Sequence, residues 1–147
     1  ELLMSIFDGS PSPWTARMLS ILRIVAGLVF FVTGTKKVFG FPPFPTSAPP
    51  LPMPPMWEFH LAGLLETYLG AAFTLGFLTR PISFVLAGEM AVAYFQFSFP
   101  LSFWPTVNWG TSAILYCFLF LYFVFAGAGP WSVDAVIARR RTVTPLG

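Results

Sequence analysis

Charge is scarce in this chain: eight Lys and Arg and six Asp and Glu make up 10% of 147 residues. Soluble domains typically carry about 25% charged residues. With 56% hydrophobic residues and a mean hydropathy of +0.74, a soluble chain of this size has too little interior to hide its apolar surface. The net charge of +2 comes with no basic stripe except Arg139-Arg140-Arg141, so no nucleic-acid partner is expected. Metal-ligating and nucleophilic residues are equally sparse. A single cysteine, Cys117, excludes an internal disulfide and reads as a small packing residue. A single histidine, His60, excludes bis-histidine haem ligation within the chain. No Cys/His cluster supplies a metal site, and neither GxGxxG nor a P-loop occurs. The two aspartates, Asp8 and Asp134, lie outside the apolar runs, so no Ser-His-Asp grouping is apparent.

What is abundant is apolar sequence, in four runs covering residues 15–39, 59–79, 81–99 and 107–126. Each is close to the roughly 20 residues that cross a hydrocarbon core of about 30 Å. Backbone groups in lipid must be satisfied internally, which favours helices, and period-2 alternation of a barrel is absent. The fold expected is therefore all-α: an antiparallel bundle of four transmembrane helices. No signal peptide is expected, because no small-residue cleavage pattern follows the first run. Residues 1–14 and 127–147 form an N-terminal segment and a C-terminal tail.

Thr79-Arg80-Pro81 reads as a tight turn joining helices 2 and 3. Residues 40–58 hold eight of the fifteen prolines together with Phe41, Phe44, Leu51, Met53, Met56 and Trp57. Such a segment favours an extended polyproline path, and its apolar side chains suit either a cap over the bundle or docking on another subunit. Arg17, Arg80 and Arg139–Arg141 gather at one end, and Lys36 and Lys37 at the other. The excess of Arg places both termini in the cytoplasm, in a bacterial or archaeal cytoplasmic membrane, with lipid as the immediate neighbour and the lysines as interfacial anchors.

Ionisable residues inside spans are costly and usually face the interior. Three occur: Arg23, Glu66 and Glu89. At about 1.5 Å per residue, Arg23 and Glu89 both lie roughly 12 Å from the cytoplasmic side, and Glu66 roughly 21 Å. Matched depth and opposite charge predict an Arg23–Glu89 pair. Polar and small residues also form stripes near helical spacing: Arg23, Gly27 and Gly34; Gly63, Glu66, Gly70 and Thr74; Glu89, Ala93 and Gln96; Asn108, Ser112 and Tyr116. These are expected to converge on one interior. That interior either fixes helix register, lines a cavity for a small molecule, or carries protons.

The order and spacing of several segments resemble the DoxX family of small four-helix membrane proteins. They are Leu22-Arg23-Ile24-Val25-Ala26-Gly27, Gly34-Thr35-Lys36-Lys37, Gly63-Leu64-Leu65-Glu66, Gly76-Phe77-Leu78-Thr79-Arg80, Glu89-Met90-Ala91-Val92-Ala93-Tyr94 and Gly129-Pro130-Trp131-Ser132-Val133-Asp134. Thr33 stands where the family often has histidine, and the proline-rich link looks like an insertion. The resemblance implies association with quinone-linked membrane redox systems, and it carries over Arg23, Glu66, Glu89 and the Gly129–Asp134 turn. On that reading Arg23, Tyr116 or His60 would contact a quinone oxygen, and Glu66 or Glu89 would handle protons. No electron-carrying cofactor is expected in the chain, so a partner would supply one and the chain is not expected to be an enzyme by itself. The alternative is an accessory subunit of a larger membrane complex, with the proline-rich link as docking element. Ser132 and Asp134 are expected to cap a short helix running toward Arg139.

Overall fold

A computed structural model describes residues 12–44 and 53–143. The described residues form five α-helices and no strands. Helix α1 spans Pro13–Phe39, 27 residues. Ser12 caps it by accepting the Trp14 N–H, Pro13 occupies the first turn where no N–H is needed, and Gly40 ends it at φ +67°. Helix α2 spans Met56–Leu75, starting immediately after Pro54-Pro55. Helix α3, Thr79–Ala93, continues through a π-turn at Tyr94–Ser98 and a 3-10 turn at Phe99–Leu101, where Pro100 ends the helical path. Helix α4 spans Thr111–Ala126 and α5 spans Val133–Val143.

The hairpin turn lies one step earlier than the sequence suggests. Gly76-Phe77-Leu78 is the turn, with Gly76 at φ +72° and Leu78 at φ +47°. Thr79-Arg80-Pro81 is already the first turn of α3, where a proline costs no helical hydrogen bond. Asn108 was placed on helix 4 by its spacing, but it lies in the loop before α4. There it is buried, accepting the Gly110 N–H at 2.8 Å and donating to the Ser102 carbonyl at 2.8 Å. Ser112, another member of that stripe, faces outward.

The helices pack chiefly as two pairs, α1 with α2 and α3 with α4, with a sparser junction between α2 and α3. The small-residue stripes of α1 and α2 do meet. A Cβ on Gly34 would overlap Thr67, and one on Gly70 would stand 3.2 Å from the Phe31 backbone. Such close approach is how membrane helices gain contact where lipid removes the hydrophobic driving force. The pairs are joined by an aromatic core. Phe73 meets Phe120 and Phe123 edge to face at 5.1 Å each, Phe30 meets Phe120 at 5.0 Å, and Leu86 and Met90 fill in from α3.

Burial is inverted relative to a soluble protein. Arg23 is 0% exposed and Glu66 2%, whereas Phe125 is 78% exposed, with Phe84, Leu115 and Phe118 also outward. Two helical stretches, Trp14–Phe39 and Thr79–Leu101, are long and apolar enough to cross a membrane; Thr111–Ala126 is apolar but shorter. The described flanks of the proline-rich link turn back onto the bundle. Thr35 donates to the Phe41 carbonyl at 2.9 Å, and Phe44 lies between the Lys36 ammonium at 4.3 Å and the Phe59 ring at 6.5 Å. Residues 45–52, the middle of the expected cap or docking element, lie outside the described residues.

Candidate functional site

Two polar centres sit at opposite ends of the α1–α2 pair, and they differ in how completely they are satisfied. The first is built on Arg23. Its Nε donates to the Ala128 carbonyl at 2.9 Å, one terminal nitrogen donates to Phe73 at 3.1 Å and Thr74 at 2.7 Å, and the other donates to Trp131. The Phe73 and Thr74 carbonyls belong to the last turn of α2, where helical partners run out. A guanidinium, with five donors in a fork, satisfies several such acceptors at once. Gly76 makes room: a Cβ there would collide with the guanidinium and with Ser132.

The Gly129–Asp134 turn closes the same end. Ser20 Oγ accepts the Trp131 N–H at 3.2 Å, Ser132 donates to Gly129 at 2.8 Å, and the Asp134 N–H reaches the Gly76 carbonyl at 2.9 Å. Ser132 accepts the Ala135 N–H at 3.1 Å, near the start of α5. Asp134 departs from expectation. Rather than capping α5, its carboxylate accepts the Leu78 and Thr79 N–H groups at 2.9 Å each, capping α3 across the bundle.

The expected Arg23–Glu89 pair is not formed. Equal depth places two residues at one level but not on facing sides. Helical side chains lean toward their own N-terminus, so Arg23 reaches down to the carbonyls at the bundle end. Those carbonyls take up its donors.

The second centre lies toward the other end. Lys37 Nζ and Glu66 Oε1 are 2.6 Å apart, with the Lys37 side chain 22% exposed and that of Glu66 2%. They border a cavity of about 590 Å³ between α2 and α3, lined also by Trp57, Phe59, Leu65, Val85, Met90 and Phe97, with Glu89 on the α3 wall. At its rim Gln96 donates to Glu58 at 2.9 Å across the α2–α3 gap. Within it Glu66 Oε2 and both carboxyl oxygens of Glu89 are buried with no hydrogen-bond partner. Buried polar atoms are nearly always partnered, so three such oxygens at one cavity set it apart from the Arg23 centre.

Of the residues expected at a site, Glu66 and Glu89 are brought together. Arg23 is at the other centre. Tyr116 packs on Phe30 and Phe120, at 5.3 and 5.8 Å, and does not line the cavity. His60 is exposed, its Nδ1 2.8 Å from the Met56 carbonyl, and is outside the cavity as well. Sequence reasoning missed Lys37, read as an anchor, and Trp57 and Glu58, read as part of the loop. A signal for Lys37 was present in the spacing. Gly34-Thr35-Lys36-Lys37 and Gly63-Leu64-Leu65-Glu66 each place a charge three residues after a glycine. Where the glycines let the helices close, the two charges meet.

The DoxX family profile matches residues 18–98, more than half of the chain. The chain belongs to the DoxX family. An uncharacterized protein of Haemophilus influenzae is 40% identical to it over 119 residues, covering 79% of this chain and 87% of that protein. No solved structure matches. Every residue lining the cavity falls within the DoxX match, whereas α4 and α5 lie beyond it. DoxX membership and the outward-facing apolar helices make this a membrane protein.

Proposed function

We propose that this DoxX protein is a four-span integral membrane protein that takes a small amphipathic molecule from the bilayer into the cavity between α2 and α3, as part of a quinone-linked membrane redox system. The observation that carries the reading is the set of unpartnered carboxyl oxygens of Glu66 and Glu89 at an apolar cavity of about 590 Å³. Small-molecule sites typically combine such a volume with apolar walls and a few placed polar groups. Trp57, Leu61, Val85 and Val92 line the cavity and are themselves exposed, so entry is from the side, the face that lipid would cover.

The four spans are α1, α2, the helical path from α3 to Leu101, and α4. Phe103, Trp104 and Trp109, all exposed in the loop before α4, suit the head-group level. Arg17, Arg80 and Arg139–Arg141 support a cytoplasmic position for both termini in the cytoplasmic membrane. Membrane quinones are the ligand class that the DoxX resemblance implies. Lys37 is the donor that a quinone carbonyl would take, because an ammonium has three N–H groups and one is used on Glu66.

The test is purification from native membranes in mild detergent, followed by mass spectrometry of whatever small molecules and proteins travel with the chain. A near-stoichiometric amphipathic molecule is expected, a quinone if the redox link holds, and its loss in a cavity-filling Ala93→Trp variant. A chain held in a large assembly with no small molecule would instead make it an accessory subunit docked on other membrane proteins.

A further inference from the structure

The cavity is unbalanced in charge. Glu58, Glu66 and Glu89 border it, and among the described residues Lys37 is its one cationic lining residue. That ammonium is committed to Glu66 at 2.6 Å, and Glu58 is held by the Gln96 amide at 2.9 Å. Glu89 has neither a cation nor a hydrogen-bond donor on either oxygen. α4, packed behind α3, contributes no lining residue. A carboxylate in a low-dielectric surrounding needs a proton or a cation close by, because its hydration has been lost. The lining also holds the aromatic residues Trp57, Phe59 and Phe97. Ring faces attract cations, most strongly when both are desolvated. The Lys37 ammonium already lies 5.9 Å from the Phe59 ring centroid.

We propose that the cavity binds amphipathic organic cations, an ammonium or phosphonium on an apolar body, with Glu89 as the counter-ion. This rests on the cavity being a ligand site and goes beyond a neutral quinone, whose head group would leave Glu89 uncompensated. The exchange is balanced: the cation enters as a proton leaves Glu89, and the cavity keeps its net charge. Lys37, Glu58 and Glu66 set the field in which that exchange takes place. Size selection comes from the walls, charge selection from Glu89.

The experiment uses the full chain in detergent and two probes, tetraphenylphosphonium and the neutral decylubiquinone, with binding measured by calorimetry. Saturable tetraphenylphosphonium binding is expected. It should weaken by at least about tenfold in Glu89→Gln, persist in Glu89→Asp, and weaken as the pH is lowered and protons compete for Glu89. Decylubiquinone binding without tetraphenylphosphonium binding overturns the cation assignment and leaves the cavity as a ligand site. Binding of neither probe removes the cavity reading itself. Cation binding that is unchanged in Glu89→Gln overturns the role of Glu89. Should that variant fail to fold, pH-independent binding to the unaltered chain overturns it equally.

Discussion

The two polar centres of this DoxX protein start from similar material and end differently. Each buries a charged side chain against the α1–α2 interface, and each lies beside glycines that let the helices close. At the Arg23 end all three guanidinium nitrogens find carbonyls, drawn from the last turn of α2 and from the loop between α4 and α5. At the Lys37 end the ion pair is made, but Glu66 Oε2 and both Glu89 oxygens are left over beside an open cavity. A closed, satisfied centre holds elements together. An open one with spare acceptors is where the proposed ligand would sit. The same residue classes, read along the chain, do not distinguish these outcomes. The count of satisfied atoms does.

The sharpest way to break this comparison is to remove Arg23. Arg23→Met keeps much of the volume and removes the guanidinium from four carbonyls, of which Phe73 keeps the Gly76 N–H at 3.0 Å. We expect a loss of about 3–5 kcal/mol, the range for leaving buried polar or charged partners uncompensated. Thermal unfolding in detergent checks it, and a change below about 1 kcal/mol would show that the hub is not what joins α1, α2 and the loop before α5.

Lys37→Met comes next. It leaves Glu66 buried and unpaired, and about 2–4 kcal/mol should be lost. Adding Glu66→Gln should restore most of that, because the second change removes the stranded charge. A double variant as unstable as the single one would mean that the pair is not the source of the effect.

The smallest effect is expected at Glu89. Its carboxyl has no partner to lose, so Glu89→Gln should cost less than either change above, and thermal unfolding in detergent checks it. A loss comparable to that of Arg23→Met would contradict the division into a structural and a ligand-facing centre.

Much of the helical frame was legible. Hydropathy marks α1 through α4 to within a few residues, while the caps that bracket α1, Ser12 and Gly40, emerge only in the structure. Arg23, Glu66 and Glu89 stood out as charges that an apolar run does not hold without reason. The errors were errors of partnership. Arg23 and Glu89 share a depth but not a side, and depth is all that counting residues along a helix supplies. Asp134 looked like a local cap because Ser132 and a helix lie beside it, yet it serves residues 55 and 56 positions away. Lys37 looked like an anchor because lysines commonly end spans, and only the closure of Gly34 on Thr67 brings it to Glu66.

What the sequence alone determined is the helices and the small set of polar groups to be buried. These follow from local hydrogen bonding and from the apolar content of each run, both read within a few turns. What only the tertiary structure decided is which buried group satisfies which, and which are left over. That choice is a competition among donors and acceptors from distant parts of the chain. It is settled by helix rotation and close approach: Arg23 was taken by backbone carbonyls, Glu66 by Lys37, and Glu89 was left facing a cavity.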